Sequence, residues 1–153
     1  MKTTKSYGRK ADLALAMWVK LARAADTMAI LTGRDIADYG LTVPQFGVVE
    51  ALGHLGPMKI GELCAKKLTS GGNMTVVVDN LERDGLVERT HDENDRRAYV
   101  IKLTRKGKSL FDGIFPRHAR FVEELVFAAL TAEEIVGLST LLKKMGLALK
   151  RKL

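Results

Sequence analysis

One charged loop between two short alternating runs constrains this chain more than any other feature. Residues 86–104 read LVERTHDENDRRAYVIKLT. Tyr99, Ile101 and Leu103 alternate with Val100 and Lys102, the two-residue period of a strand. LVERT, residues 86–90, supplies a second run, so the segment predicts a two-stranded hairpin. The tip of that hairpin is a tight cluster of acids and arginines, set in a chain whose remaining period is helical.

From Lys10 to about Ala37, apolar residues recur at Leu13, Met17, Leu21, Ala25, Met28 and Leu31, which is helical spacing. Thr42 then reads as an N-cap with Pro44 in the first turn, and the helix it opens stops at Gly56-Pro57. A short helix follows with Ile60, Leu63, Cys64 and Leu68 inward. Another, over about Ser70 to Arg83, is opened by Thr69 or Ser70 and closed by Gly85. Its Met74, Val77, Val78 and Leu81 form one apolar face. Three consecutive valines favour a strand there, but the cap, the glycine stop and the helical spacing favour the helix. Beyond the hairpin a long helix runs from Arg105 to Leu130; Pro116 removes one backbone hydrogen bond and predicts a kink. The last helix opens with Thr131 as N-cap and Glu134 three residues on, a capping box. Its stripe is Ile135, Leu138, Leu141, Leu142, Met145 and Leu149.

This order predicts a mainly α fold with a small β-hairpin wing: a winged helix-turn-helix flanked by N- and C-terminal dimerisation helices. We expect one domain over 1–153, with a DNA-binding lobe at about 42–104 and dimerisation helices at about 10–37 and 105–151. So much apolar helix outside a small core suggests pairing with a second copy, and two-fold homodimers are the commonest oligomers.

Charge points the same way. The chain has a net charge of +7, which favours polyanionic partners, nucleic acid above all and an anionic membrane face less often. Residues 1–25 and 143–153 each carry +5, whereas 59–108 carry only +3. A DNA surface in the middle must therefore come from the arrangement of charges. Cys64 is the single cysteine, so no intramolecular disulfide is possible. Asp12, Lys20 and Arg23 interrupt the apolar N-terminal run, and no signal peptide or membrane span is expected. A cytoplasmic protein is the default.

The frame LTVPQFGVVEAL (41–52), IGEL (60–63), LTSGGNMTVVVDNLERDGLVER (68–89), DENDRRAYVIKLTRKG (92–107) and LTAEEIVGLSTLLKK (130–144) resembles the MarR family of bacterial transcriptional regulators. The resemblance spans roughly residues 10–148, and its most specific part is the GLVER, DRRA and LT-x-KG pattern. It implies a homodimer on pseudo-palindromic DNA, usually a repressor released by a small ligand or by thiol oxidation. LTSGGNMT and LLKKMG look most like the branch that answers to quinones, catechols and similar aromatics. Quinone chemistry often uses a thiol, and the only one here is expected to be buried.

A recognition helix presents its N-terminal residues to base edges in the major groove. With the apolar face inward, Ser70, Gly72, Asn73, Val76 and Asn80 face out. Asn73 can pair bidentately with adenine and Val76 can touch a thymine methyl. Ser70 and Thr75 suit phosphate contacts. Gly71-Gly72 permits either close approach of backbone to DNA or a flexible entry to the helix. Arg83 is a phosphate contact or a solvated charge. Lys59, Lys66 and Lys67 read as solvated, with a phosphate contact open to one of them. An arginine at the hairpin tip is drawn to the negative potential of a narrow minor groove. By resemblance, Arg97 matches the groove-inserting arginine, Asp95 the carboxylate that holds it, and Arg96 the neighbouring basic position. The bland alternative is a polar tip with a surface ion pair worth little.

His54, His91 and His118 show no metal spacing, and no metal or cofactor is expected. No catalytic constellation presents itself, so no enzyme is expected. Trp18, Phe46, Phe111 and His118 either belong to the core or, by the family's region, line an effector pocket for a small aromatic or phenolic molecule. The competing functions are a winged-helix module for protein interaction without specific DNA binding, and a redox-sensing repressor that uses Cys64.

Overall fold

A helix start that satisfies its own orphan N–H groups recurs along this chain and sets where its elements begin. The computed structural model describes residues 5–67, 71–92 and 99–152. Helix α1, Arg9–Ala37, follows Gly8, and Asp12 in its first turn reaches back to accept from the Ser6 hydroxyl at 2.6 Å and the Tyr7 N–H at 2.9 Å. Helix α2, Val43–Leu55, opens on the expected Thr42: Thr42 Oγ1 accepts the Gln45 N–H and Gln45 Oε1 accepts the Thr42 N–H at 2.9 Å. It ends at Gly56, whose φ of +80° suits a residue without a side chain. Strand β1 is Met58–Lys59, and helix α3 is Ile60–Lys67. Glu62 Oε2 accepts the Lys59 N–H at 2.7 Å ahead of α3.

Helix α4, Gly71–Arg83, ends in a Schellman turn. The Leu86 N–H donates to the Leu81 carbonyl at 2.8 Å and the Gly85 N–H to the Glu82 carbonyl at 2.9 Å. Gly85 takes φ +71°, and Leu81 and Leu86, the apolar pair that accompanies such a turn, are both buried. Strands β2, Val87–His91, and β3, Tyr99–Leu103, pair antiparallel from Val87 opposite Leu103 to His91 opposite Tyr99. The sheet has a third strand that the sequence reading lacks. β1 pairs with β3, Met58 opposite Ile101, so the order is β1-β3-β2. Two residues after a Gly-Pro are too few to display a period, and only the pairing reveals the strand.

The contacts divide the chain into one unit through Lys108 and one from Ser109. The first unit has its core where α2, α3, α4 and the sheet meet. Val48, Leu63, Val78, Leu81 and Ile101 are wholly shielded there. Burying such a side chain contributes about 1.5–3 kcal/mol. Helix α5, Arg105–Phe127, carries Pro116 inside it without ending there. In the second unit Phe111 stacks on Phe115, centroids 5.3 Å apart, and His118 tilts against Phe115 at 6.3 Å. Helix α6, Ala132–Lys150, has the expected capping box: Glu134 Oε2 accepts the Thr131 N–H at 2.9 Å, and Thr131 Oγ1 accepts the Glu134 N–H. No residue of α6 is buried, and Leu138, Leu141, Leu142 and Leu149 of its stripe are exposed.

Candidate nucleic-acid interface

Helix α4 has two faces, and the side turned from the core is the candidate surface. Met74, Val77, Val78 and Leu81 are buried, the inward face expected from their spacing. Asn73 and Thr75 are exposed, and Val76, a β-branched apolar residue, is 57% exposed. Arg83 is exposed and its Nε lies 3.6 Å from Asp84 Oδ1, an ion pair in water that contributes little. Asn80 is half-buried, so it stands at the border of this face instead of on it. Gly72 lies in the first turn of α4.

Ser70, Asp95, Arg96 and Arg97 lie outside the described residues, as do Leu68 and Thr69. The base of the hairpin is described. His91 and Tyr99 face each other across it with ring centroids 4.7 Å apart. Lys59 Nζ lies 3.0 Å from Asp92 Oδ2 while its side chain stays largely in solvent, as expected. This pair joins β1 to the end of β2, an approach that no local spacing announces. Lys66 is exposed as expected.

The sequence reading missed Arg89. This β2 residue reaches across to α4, where one guanidinium nitrogen meets Asp79 Oδ1 and another meets Glu82 Oε2. Its backbone N–H also donates to Glu82 Oε1 at 3.3 Å. Burial pulls the guanidinium pKa down, but Asp79 and Glu82 raise it by more, so the net shift is upward. The available signal was two carboxylates three residues apart on a helix, followed by an arginine in the next strand.

Cys64 is half-buried in α3, where the spacing predicts full burial. It is the first-unit residue that any thiol chemistry would need. Of the residues considered for an effector pocket, Phe46 is buried in α2 and stacks on Tyr39 at 6.5 Å, which makes it a core residue. Trp18 is exposed on α1, and Phe111 and His118 are half-buried on α5. A cavity of about 230 Å³ runs along α1 between Asp12 and Arg23 under Tyr7, and Trp18 does not line it. Among the described residues, no group of three or more His, Cys, Asp or Glu side chains could hold a metal ion, and no single helix is long and apolar enough to cross a membrane.

Comparison with known proteins bears directly on this geometry. The sequence model of the MarR family matches residues 41–99, from the start of α2 to the start of β3. The chain is 34% identical over 136 residues to the HTH-type transcriptional regulator YkoM of Bacillus subtilis, over 89% of this chain and 88% of YkoM. It is 33% identical over 140 residues to the HTH-type transcriptional regulator MhqR of the same organism, over 92% of this chain and 96% of MhqR. Among solved structures, BpsR of Bordetella bronchiseptica superposes with a TM-score of 0.75 at 27% identity, over 86% of this chain and 98% of that one. BpsR is described as a protein whose DNA binding is regulated by 6-hydroxynicotinic acid. With two regulators above 30% identity along nearly their whole length and the winged helix in place, the chain belongs to the MarR family of transcriptional regulators.

Proposed function

We propose that the protein is a homodimeric repressor that binds a pseudo-palindromic operator in double-stranded DNA and is released by a small molecule. The observation that carries this reading is the outward face of α4, where Asn73, Thr75 and the exposed Val76 stand opposite a fully apolar inner face. Such an outward face offers amide and hydroxyl groups to base edges and phosphates, and Val76 to thymine methyls. In this reading Asn73 pairs with adenine, Ser70 and Thr75 hold phosphates, and Gly72 lets the backbone approach. Asn80 and Arg83 stand at the border and the far end. At the wing, Arg97 enters the minor groove, Asp95 holds it and Arg96 meets a phosphate.

Residues 42–104 would form the DNA-binding lobe, and 10–37 with 105–151 the dimer contacts. Two-fold symmetry places half-sites about one helical turn apart. The regulated DNA binding of BpsR supports an aromatic effector. A regulator of this kind acts in the cytoplasm and performs no catalysis. The test is selection from a random duplex pool at two salt concentrations, wild type beside Arg97→Ala. Recovery of a palindrome that the variant binds more weakly, with affinity falling as salt rises, supports the reading. Salt-sensitive binding without an enriched sequence overturns it.

A further inference from the structure

The outward face of α4 carries a feature that DNA binding alone does not explain. Val76, Asp79 and Arg83 follow one another at spacings of three and four, so they share one stripe of the helix. Asp79 therefore stands beside Val76 on the surface turned from the core, with its side chain 54% exposed. Glu82 is close by, with its side chain 37% exposed. Two carboxylates next to a phosphate backbone repel it.

Arg89 answers both. Its side chain is only 22% exposed and spans the gap from β2 to the two acids, with one nitrogen for each. A planar guanidinium can hold two carboxylates at a fixed angle, which the point charge of a lysine cannot. β2 is the edge strand of the sheet, and the N–H on its open side goes to Glu82. Backbone and side chain of the same residue thus tie the wing strand to the helix.

We infer that Arg89 is a positioning residue for DNA recognition, which locks the wing strand to α4 through Asp79 and Glu82 and masks the carboxylates on the DNA-facing side. The inference rests on the DNA-binding reading above. It makes the wing and the recognition helix one rigid reader, so that groove contacts of the helix and of the hairpin are made in a fixed register. It also explains how a surface with acids in its middle can approach phosphates.

The experiment measures operator affinity and its salt dependence for the full chain, on the duplex recovered by selection, alongside a thermal melt. The variants are Arg89→Met, Arg89→Lys, Asp79→Asn/Arg89→Met and Asp79→Asn/Glu82→Gln/Arg89→Met. Arg89→Met should weaken operator binding roughly tenfold or more. Arg89→Lys should fall between it and wild type. The double and triple variants should regain a large part of the loss, because they remove the unmasked charge, while their melting temperatures need not recover. A merely structural arginine would give no such rescue. Wild-type affinity in Arg89→Met overturns the inference, as does equal weakness in the single, double and triple variants. If Arg89→Met does not fold, the triple variant, which leaves no unpaired charge, decides by the same comparison with wild type. Failure of the wild type itself to select a site overturns the DNA-binding reading, and this inference with it.

Discussion

The hydroxyl of Thr104 donates to the carbonyl oxygen of Gly85 at 2.7 Å, while the Thr104 N–H donates to the carbonyl of Leu86 at 3.1 Å. Two residues on, Lys106 Nζ donates to the carbonyl of Asp84 at 2.7 Å. Three successive carbonyls after α4 are thus satisfied by the residues that open α5. Thr104 Oγ1 also accepts the Gly107 N–H at 3.0 Å, so one hydroxyl caps α5 and fastens the turn. Thr104→Val keeps the shape and removes both bonds. It should lower stability by about 1–3 kcal/mol. Thr104→Ser should retain most of it. Urea denaturation of the two variants beside wild type checks this.

Gly107 is the next residue of the same joint. A Cβ there would overlap the Leu86 carbonyl and press on Leu103, and a backbone carbonyl has no alternative rotamer to adopt. Gly107→Ala should therefore destabilise by about 1–3 kcal/mol or more, although alanine is the better helix former. Gly61 in α3 is the contrast, since a Cβ there meets no atom among the described residues. Gly61→Ala should be neutral or gain up to about 1 kcal/mol. Equal effects of the two substitutions on the thermal midpoint would contradict the packing at Gly107.

Both glycine and threonine stood in the LT-x-KG pattern, yet their reason lies in the fold. What was legible was local. Thr42 with Gln45, and Thr131 with Glu134, sit three residues apart, so a capping box can be read directly. The buried side of α4 follows from a 3.6-residue period. The illegible parts join distant residues. Arg89 lies seven and ten positions from its acids, and Lys59 lies far from Asp92. β1 is defined only by its partner β3. The stripe of α6 was legible as apolar and as a surface for a second copy, but a helical period does not tell which residues would meet it.

Asp12 supplies a pH dependence with a defined sign. Its hydrogen bond from Ser6, and then that from the Tyr7 N–H, hold its pKa below the ordinary 3.8. A lowered folded-state pKa means that the contribution is present above the ordinary value. It is lost as pH falls through the folded-state value. The first turn of α1 should therefore fray in acid, below the usual carboxylate range. Protection of the Tyr7 amide and of the first-turn amides of α1, measured against their intrinsic exchange at each pH, should fall there. Asp12→Asn should show fast exchange at these amides already at neutral pH, with little further change on acidification. A wild-type profile flat through that range would show that the contacts do not hold in solution.

The stripe on α6 yields the last prediction. Leu138 and Leu142 are one turn apart and both exposed, and Leu141 and Leu149 extend the same apolar arc. A contiguous apolar face of this kind is costly in water and marks a contact surface. Its wall of leucines, without a charge between Leu138 and Leu142, suits a self-complementary two-fold contact with a second copy. Leu138→Glu/Leu142→Glu would set two carboxylates on each side of that contact, where they repel across the axis. The double variant should sediment as a monomer at concentrations where the wild type is a dimer. Its thermal midpoint should lose the dependence on protein concentration that dimer formation imposes. Binding to a palindromic operator should weaken far more than binding to one half-site. A variant that still sediments as a dimer would place the dimer contact elsewhere in the chain and leave the stripe of α6 to another partner.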